Sequence, residues 1–212
     1  MTTTPDPKML EEATLLLTHG GSILYGLNHA NSDEDFYRVV KDEFYWQAIG
    51  AYPSGKPKML ITQHINNGID ELTVSFKTFC ILAMNGSPQT LEAMFSQKAT
   101  IDRLDTFRKD YFAGMGHDSM IERYRQTIHR FCYGSFKQRR HALRLSINLT
   151  ESMINGGKFN PTLTPEQATF ITNMAKSSPE QFIETLKSLN HYEISDEFNM
   201  TEIAERFAED GM

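Results

Sequence analysis

The chain has 212 residues, 40% of them hydrophobic and 23% charged, with a formal net charge of −6. That length can bury one large core or two small ones, and the composition is that of a globular protein rather than a disordered or fibrous one. The negative balance argues against indiscriminate nucleic-acid binding, and no apolar run approaches the ~20 residues that cross a bilayer. The opening Met1-Thr2-Thr3-Thr4-Pro5-Asp6-Pro7 has no basic stretch and no apolar one, so no secretory signal is expected and the expected compartment is the cytoplasm. Cys80 and Cys132 sit in apolar helical surroundings without metal-ligand spacing, which predicts free buried thiols. The seven histidines are scattered, which argues against zinc.

Residues 1–7 read as a frayed tail. Residues 8–18, with Met9, Leu10, Ala13, Leu15, Leu16 and Leu17, read as an amphipathic helix, or as a helix feeding a short strand. Then comes His19-Gly20-Gly21-Ser22-Ile23-Leu24-Tyr25-Gly26, a glycine turn followed by a short helix start. Without a Cβ in the way, the backbone N–H groups of Gly20 and Gly21 can approach a ligand closely. Such N–H groups in succession form a nest for phosphate, and the Ser22 hydroxyl adds a donor. Tyr25 is placed either to stack on or hydrogen-bond a nucleotide, or to pack the turn against a sheet.

Residues 33–40 read as a strand that carries Asp33 and Asp35. At ~3.3 Å per residue, an i, i+2 pair on a strand puts both carboxylates on one face, about 7 Å apart. Two carboxylates facing a phosphate-holding turn suit Mg²⁺, which takes one or two carboxylates plus substrate phosphates. A two-metal site clamps the attacking and leaving oxygens of an in-line displacement.

Phe44, Tyr45 and Trp46 open an aromatic stretch, expected as a short helix that covers the sheet. Residues 52–57, Tyr-Pro-Ser-Gly-Lys-Pro, read as a loop. Residues 59–65 read as a strand, Asn66-Asn67-Gly68 as a hairpin turn and residues 69–76 as the return strand. A third carboxylate would come from this strand, as Asp70 or Glu71. Leu72 and Val74 are apolar and should face the helices, which puts Asp70 on their side. Glu71 shares its side with Thr73 and Ser75, so Glu71 is expected at the site, with Asp70 as the alternative.

A helix is expected over residues 75–83, a break at Asn85-Gly86-Ser87-Pro88, and a further helix over 90–95. From Ile101 onward the pattern is helical throughout: residues 103–113, 119–136 and 137–154. Gly156-Gly157 stops the last of these. Thr164-Pro165-Glu166-Gln167 and Ser178-Pro179-Glu180 each read as an N-cap with proline at the first helical position. Residues after Asn190 read as a last acidic helix or a tail. The window 123–144 contains Arg123, Arg125, Arg130, Lys137, Arg139, Arg140 and Arg144 and no acid. Arg140 and Arg144, four residues apart, share a helix face, and Lys137 falls on nearly the same stripe. Arginine holds a phosphate bidentately.

The Gly21-Ser22 turn a dozen residues ahead of Asp33-Glu34-Asp35 resembles the signature of the DNA polymerase β-like nucleotidyltransferases. Three features narrow the likeness: Ser-x-x-Tyr-Gly ahead of Ser-Asp-x-Asp, the run Phe79…Met84-Asn85-Gly86-Ser87-Pro88…Leu91-Glu92, and Arg140-His141-Ala142-Leu143-Arg144. They resemble the predicted nucleotidyltransferases named for association with RNA ligase. The chain departs from that pattern at Arg38, where glycine is usual, and at Glu71, where aspartate is usual. The resemblance implies an α/β (α+β) fold, with a small mixed sheet backed by helices over residues 1–100 and a helical domain packed against it over 101–212. It implies transfer of a nucleoside monophosphate from an NTP such as ATP to a hydroxyl acceptor, an RNA or tRNA end, with pyrophosphate leaving. Asp33, Asp35 and Glu71 would be the catalytic metal ligands for two Mg²⁺, with Mn²⁺ able to substitute. Gly20, Gly21, Ser22, Tyr25, Arg140, His141 and Arg144 would bind the nucleotide. Nothing points to duplex DNA as a partner. The competing reading is a catalytically weak nucleotide- or RNA-binding module that uses the same pocket.

Overall fold

The computed structural model describes residues 6–28, 32–50, 59–66, 68–114, 117–189, 205, 208 and 209. Of the tail expected over residues 1–7, residues 1–5 lie outside the described residues, as do the loop over 52–57, Asn67 of the hairpin turn and most of the acidic segment after Asn190; Asp6 and Pro7 are not frayed but cap and begin the first helix. The fold is α+β, a five-stranded mixed sheet with ten helices among the described residues. It divides into two compact units, Met1–Asn85 with Gln89–Gly116, and Gly86–Pro88 with His117–Met212.

In the first unit, α1 (Pro7–Ala13) starts at Asp6, whose carboxylate accepts from the Lys8 N–H at 3.0 Å, with proline at the first helical position. It feeds β1 (Thr14–His19), whose residues alternate buried and half-buried. After α2 (Gly21–Tyr25) come β2 (Glu34–Val40), a 3₁₀ turn (Asp42–Phe44) and α3 (Tyr45–Ala48). The hairpin β3 (Ile61–Asn66) and β4 (Ile69–Ser75) follows, with Gly68 at φ +81°. Next are α4 (Phe76–Met84), capped by the Ser75 hydroxyl, and α5 (Pro88–Met94).

The strand order is β3-β4-β2-β1-β5, with β2 and β4 parallel and the other neighbours antiparallel. Tyr37, Val39, Val74, Phe79 and Leu91 form the centre of this unit's core, Tyr37 meeting Phe79 edge-on at 6.4 Å. The sequence pattern missed β5 (Ala99–Asp102), which pairs antiparallel with β1. Helix therefore does not begin at Ile101: four residues are too few for a period of two to show. α6 (Asp105–Gly114) adds Phe107 to Phe76 and Phe79.

The second unit is helical: α7 (His117–Cys132), α8 (Phe136–Ile154), α9 (Pro165–Met174) and α10 (Pro179–Leu189). α7 and α8 part at Tyr133-Gly134-Ser135, where the Gln138 side chain accepts from the Ser135 N–H at 2.9 Å. Thr164 and Gln167 cap α9 reciprocally, at 2.9 and 3.2 Å. Met120, Tyr124, Ile128, Leu143, Ile171, Phe182 and Leu186 are buried at its centre. No helix among the described residues is long and apolar enough to cross a membrane. Cys80 and Cys132 are free thiols, and burial, then the charge of Asp42, push the Cys80 thiol up to about 11.

Candidate active site

The glycine turn is built around Asp35. The Gly20 N–H donates to the Asp35 carbonyl at 2.7 Å, and Gly21 adopts φ +51°. A Cβ on Gly21 would stand 1.6 Å from Asp35 Oδ2, so only glycine lets that carboxylate lie against the turn. α2 is secured from behind. The Tyr25 ring is buried and its hydroxyl donates to Glu92 Oε2 at 2.8 Å, with Glu92 itself 1% exposed on α5. The Lys98 ammonium donates to the Ile23 carbonyl, and Thr18 meets Ser96 at 2.5 Å. Of the roles open to Tyr25, the structure shows packing: its ring is buried and its hydroxyl is engaged by Glu92.

The register of β2 against β4 sorts the acids. Asp35 lies opposite Asp70, Tyr37 opposite Leu72 and Val39 opposite Val74, all on one face of the sheet. Phe36 lies opposite Glu71 and Arg38 opposite Thr73, on the other face. The alternation of Leu72 and Val74 does place Asp70 beside them, but Asp35 shares that face as well. Glu71 therefore does not join Asp35, and the expectation that it would is corrected. Asp70 does join it, on the face where Tyr37 meets Thr90 of α5 at 3.1 Å. Gln63 Nε2, from β3, donates to Asp70 Oδ2 at 2.6 Å and orients that carboxylate. Asp33 lies two residues before Asp35, exposed, just ahead of β2.

Glu71 has its own partner. Arg38 grips it bidentately, Nε to Oε1 and Nη2 to Oε2, both at 2.8 Å, and the Thr73 hydroxyl donates to Oε1 at 3.0 Å. Arg38 Nη1 also donates to the Thr14 hydroxyl at 3.2 Å. Burial works to raise the Glu71 carboxyl. The Arg38 hydrogen bond and charge, with Thr73 and the charge of His64, outweigh it and hold the group below the usual carboxylate range. The two departures noted in the sequence, Arg38 and Glu71, are thus the two halves of one ion pair.

Arg140, His141 and Arg144 lie in the helical unit. Arg144 is 3% exposed and its Nη2 donates to His141 Nδ1 at 3.3 Å. Arginine has no acceptor, so Nδ1 must be bare and the His141 proton sits on Nε2. Burial first, then the charges of Arg144, Lys137 and Arg140, push His141 down to about 3, so the ring is uncharged at neutral pH. Arg139 is fully buried and donates to the carbonyls of Gly134 at 2.9 Å and Ala175 at 3.2 Å. The arginine stripe is therefore split: Arg139 and Arg144 face the interior, while Arg140 is half-buried and Lys137 exposed. Sequence reasoning missed Gln63 and Thr90, which orient or anchor the site face. Neither residue type at its spacing carried a signal.

Among the described residues, no three His, Cys, Asp or Glu side chains converge as an all-protein metal cage. Mg²⁺ needs less. Two carboxylates on one face, one fixed by a glutamine and one lying against a glycine cradle, are a hard-oxygen set of the kind it shares with substrate phosphates.

No family model matches the chain, and no curated protein matches it. Among solved structures it is similar to a nucleotidyltransferase-like protein from Exiguobacterium sibiricum 255-15. The two are 11% identical over 93% of this chain and 69% of that one, with a TM-score of 0.31. A superposition that loose leaves the chemistry of the site to rest on this chain's own residues.

Proposed function

We propose that the sheet unit is a Mg²⁺-dependent nucleotidyltransferase that moves a nucleoside monophosphate from an NTP to a hydroxyl acceptor, with an RNA end the first acceptor to assay. The observation that carries this reading is the pairing of Asp35 with Asp70 on the face where the Gly20-Gly21 turn closes on Asp35. Asp35 and Asp70 would hold the metal, with Asp33 exposed two residues ahead at the edge of the site. Bound Mg²⁺ would supply charge neutralisation on the transferring phosphoryl group and its leaving oxygens. The bare backbone at Gly20 and Gly21, with the Ser22 hydroxyl, would hold the outer phosphates. Tyr25, Glu92 and Lys98 keep that backbone fixed relative to Asp35, so the phosphates and the carboxylates meet in one geometry. Asp35 and Asp70 also hold negative charge that turns away an NTP lacking its metal.

The test is incubation with each α-³²P-labelled NTP, Mg²⁺ and total RNA. Label reaches an RNA band with the wild-type protein and with Glu71→Gln, and not with Asp35→Asn or Asp70→Asn. Equal labelling by Asp35→Asn and Asp70→Asn would refute the proposal.

A further inference from the structure

Two cations of the helical unit converge on one ring. The Arg140 guanidinium lies 5.6 Å from the Phe136 centroid and the Lys176 ammonium 5.4 Å from the same centroid. A cation over a ring face gains about 0.5–1 kcal/mol at an exposed site. That gain holds each charge in place without neutralising it. Neither Arg140 nor Lys176 has an ion pair among the described residues, and Arg140 Nε is buried with no hydrogen-bond partner. Lys137 stands exposed one position after Phe136, and its charge, like that of Arg140, bears on His141. The run from Arg123 to Arg144 holds no acid that could offset them. Burial already pulls the Arg140 guanidinium below its ordinary value.

Arg140 is half-buried without a counter-charge among the described residues, while Lys137 and Lys176 are exposed, so an anion that joins them offsets the partial desolvation of Arg140 and meets two solvated charges beside it. Arg139 and Arg144 show what this fold does with cations it satisfies internally: they turn inward, onto carbonyls and onto His141. Arg140 and Lys176 do not. We infer that Phe136, Arg140 and Lys176, with Lys137 at the rim, form a binding site for a phosphoanion, either a free phosphate chain or the phosphodiester of a single-stranded nucleic acid. The ring spaces the two donors, and the arginine fork can take two oxygens of one phosphate. The site is built within the helical unit alone and does not depend on the reaction proposed for the sheet unit.

The experiment uses the full chain and two probes at low salt without Mg²⁺: tripolyphosphate by calorimetry, and a fluorescein-labelled 12-nucleotide single-stranded RNA by anisotropy. Wild type binds at least one of them. Lys176→Gln, an exposed change that leaves the core untouched, weakens that binding at least fivefold, and Arg140→Gln with Lys176→Gln weakens it at least twentyfold. Lys109→Gln on α6 leaves it unchanged. Loss on RNA alone assigns the phosphodiester, and loss on tripolyphosphate alone assigns the free chain. If RNA binds, its salt slope falls by about one for each cation removed. Wild-type protein that binds neither probe, or a double variant that binds as wild type does, overturns the site. Binding here is read without Mg²⁺ or NTP, and labelling is read with both, so failure of the proposed reaction and failure of this site can be told apart.

Discussion

Glu71→Gln and Asp70→Asn change neighbouring residues by one atom each and should have opposite consequences. Glu71 accepts three hydrogen bonds, two of them charge-assisted from Arg38, and the Glu71 and Arg38 side chains are 25% and 12% exposed. Glutamine keeps the shape but loses the charge, leaving a mostly buried guanidinium facing a neutral amide. Charge-assisted bonds contribute about 1.5–3 kcal/mol each, less where solvent screens them. A net loss of about 2 kcal/mol follows, which for a chain this size lowers the melting temperature by roughly 4–8 °C. The pH dependence gives a second handle. The folded Glu71 carboxyl lies below its ordinary value of 4.5. Its contribution is therefore complete above that value and is lost as pH falls through the folded-state value. Urea unfolding at 25 °C should show Glu71→Gln less stable than wild type at pH 7, with the gap closing below pH 4.5. Asp70→Asn should melt near wild type and lose Mg²⁺-dependent labelling. A Glu71→Gln protein as stable as wild type at pH 7, or a gap that persists undiminished at pH 3, would refute the ion-pair argument. Loss of labelling in Glu71→Gln with retention in Asp70→Asn would refute the assignment of faces.

Gly21→Ala forces an L-residue to φ +51° and drives its Cβ into the Asp35 carboxylate. We expect a loss of about 1–2 kcal/mol from the backbone alone, and a fall in nucleotide transfer on the order of a hundredfold from displacement of Asp35; urea titration and the labelling assay read the two effects separately. Tyr25→Phe removes the donor to buried Glu92 and should cost about 1–3 kcal/mol in urea unfolding, whereas an unchanged midpoint would mean that the bond is not made in solution. His141, pushed down to about 3, should show neutral imidazole chemical shifts by NMR from pH 8 to pH 5. Because its folded-state value is depressed, its contribution is complete above about pH 6.5 and is lost on acidification, at about 1.4 kcal/mol per pH unit between there and pH 3. A His141→Phe variant should lack that slope, and an imidazole midpoint near 6 would contradict it.

The order of elements through α5 was legible because most boundaries carry their own chemistry, glycines at the turns and Ser75 before α4, whereas the Asp6-Pro7 helix start was read as part of a frayed tail. The hairpin at Gly68 and the caps at Thr164 were equally plain. β5 was not, since Ala99–Asp102 becomes a strand by pairing with β1 rather than by any pattern of its own. The site was half legible. Alternation along β4 correctly grouped Asp70 with Leu72 and Val74, but the metal-facing side was taken to be the polar one. Alternation along β2 held the answer: Asp35, Tyr37 and Val39 are spaced by two, so the aspartate lies on the same face as two core residues and emerges where that face runs out. Residue type misled at Glu71, whose polar companions Thr73 and Arg38 reflect an ion pair rather than a ligand site. The arginines of α8 could not be sorted in advance either. Spacing by four places Arg140 and Arg144 on one side of a helix, but only the packing of α7, α9 and α10 around α8 decides which of them is enclosed.

The Arg38–Glu71 pair bears on the site from the far side of the sheet. Asp35 and Asp70 stand opposite one another only while β2 and β4 keep their register, and a slip of one residue would turn every side chain of one strand to the other face. Parallel strands joined by a long crossover have no tight turn to fix that register. Hydrophobic patterning alone specifies it weakly here, because Thr73, Val74 and Ser75 are buried in succession, so both faces of the end of β4 are enclosed. A bidentate link between Arg38 and Glu71 tolerates no such slip, since its two 2.8 Å contacts need both oxygens at the guanidinium fork. The Arg38–Glu71 pair holds in alignment the two strands that carry Asp35 and Asp70 together on the other face of the sheet.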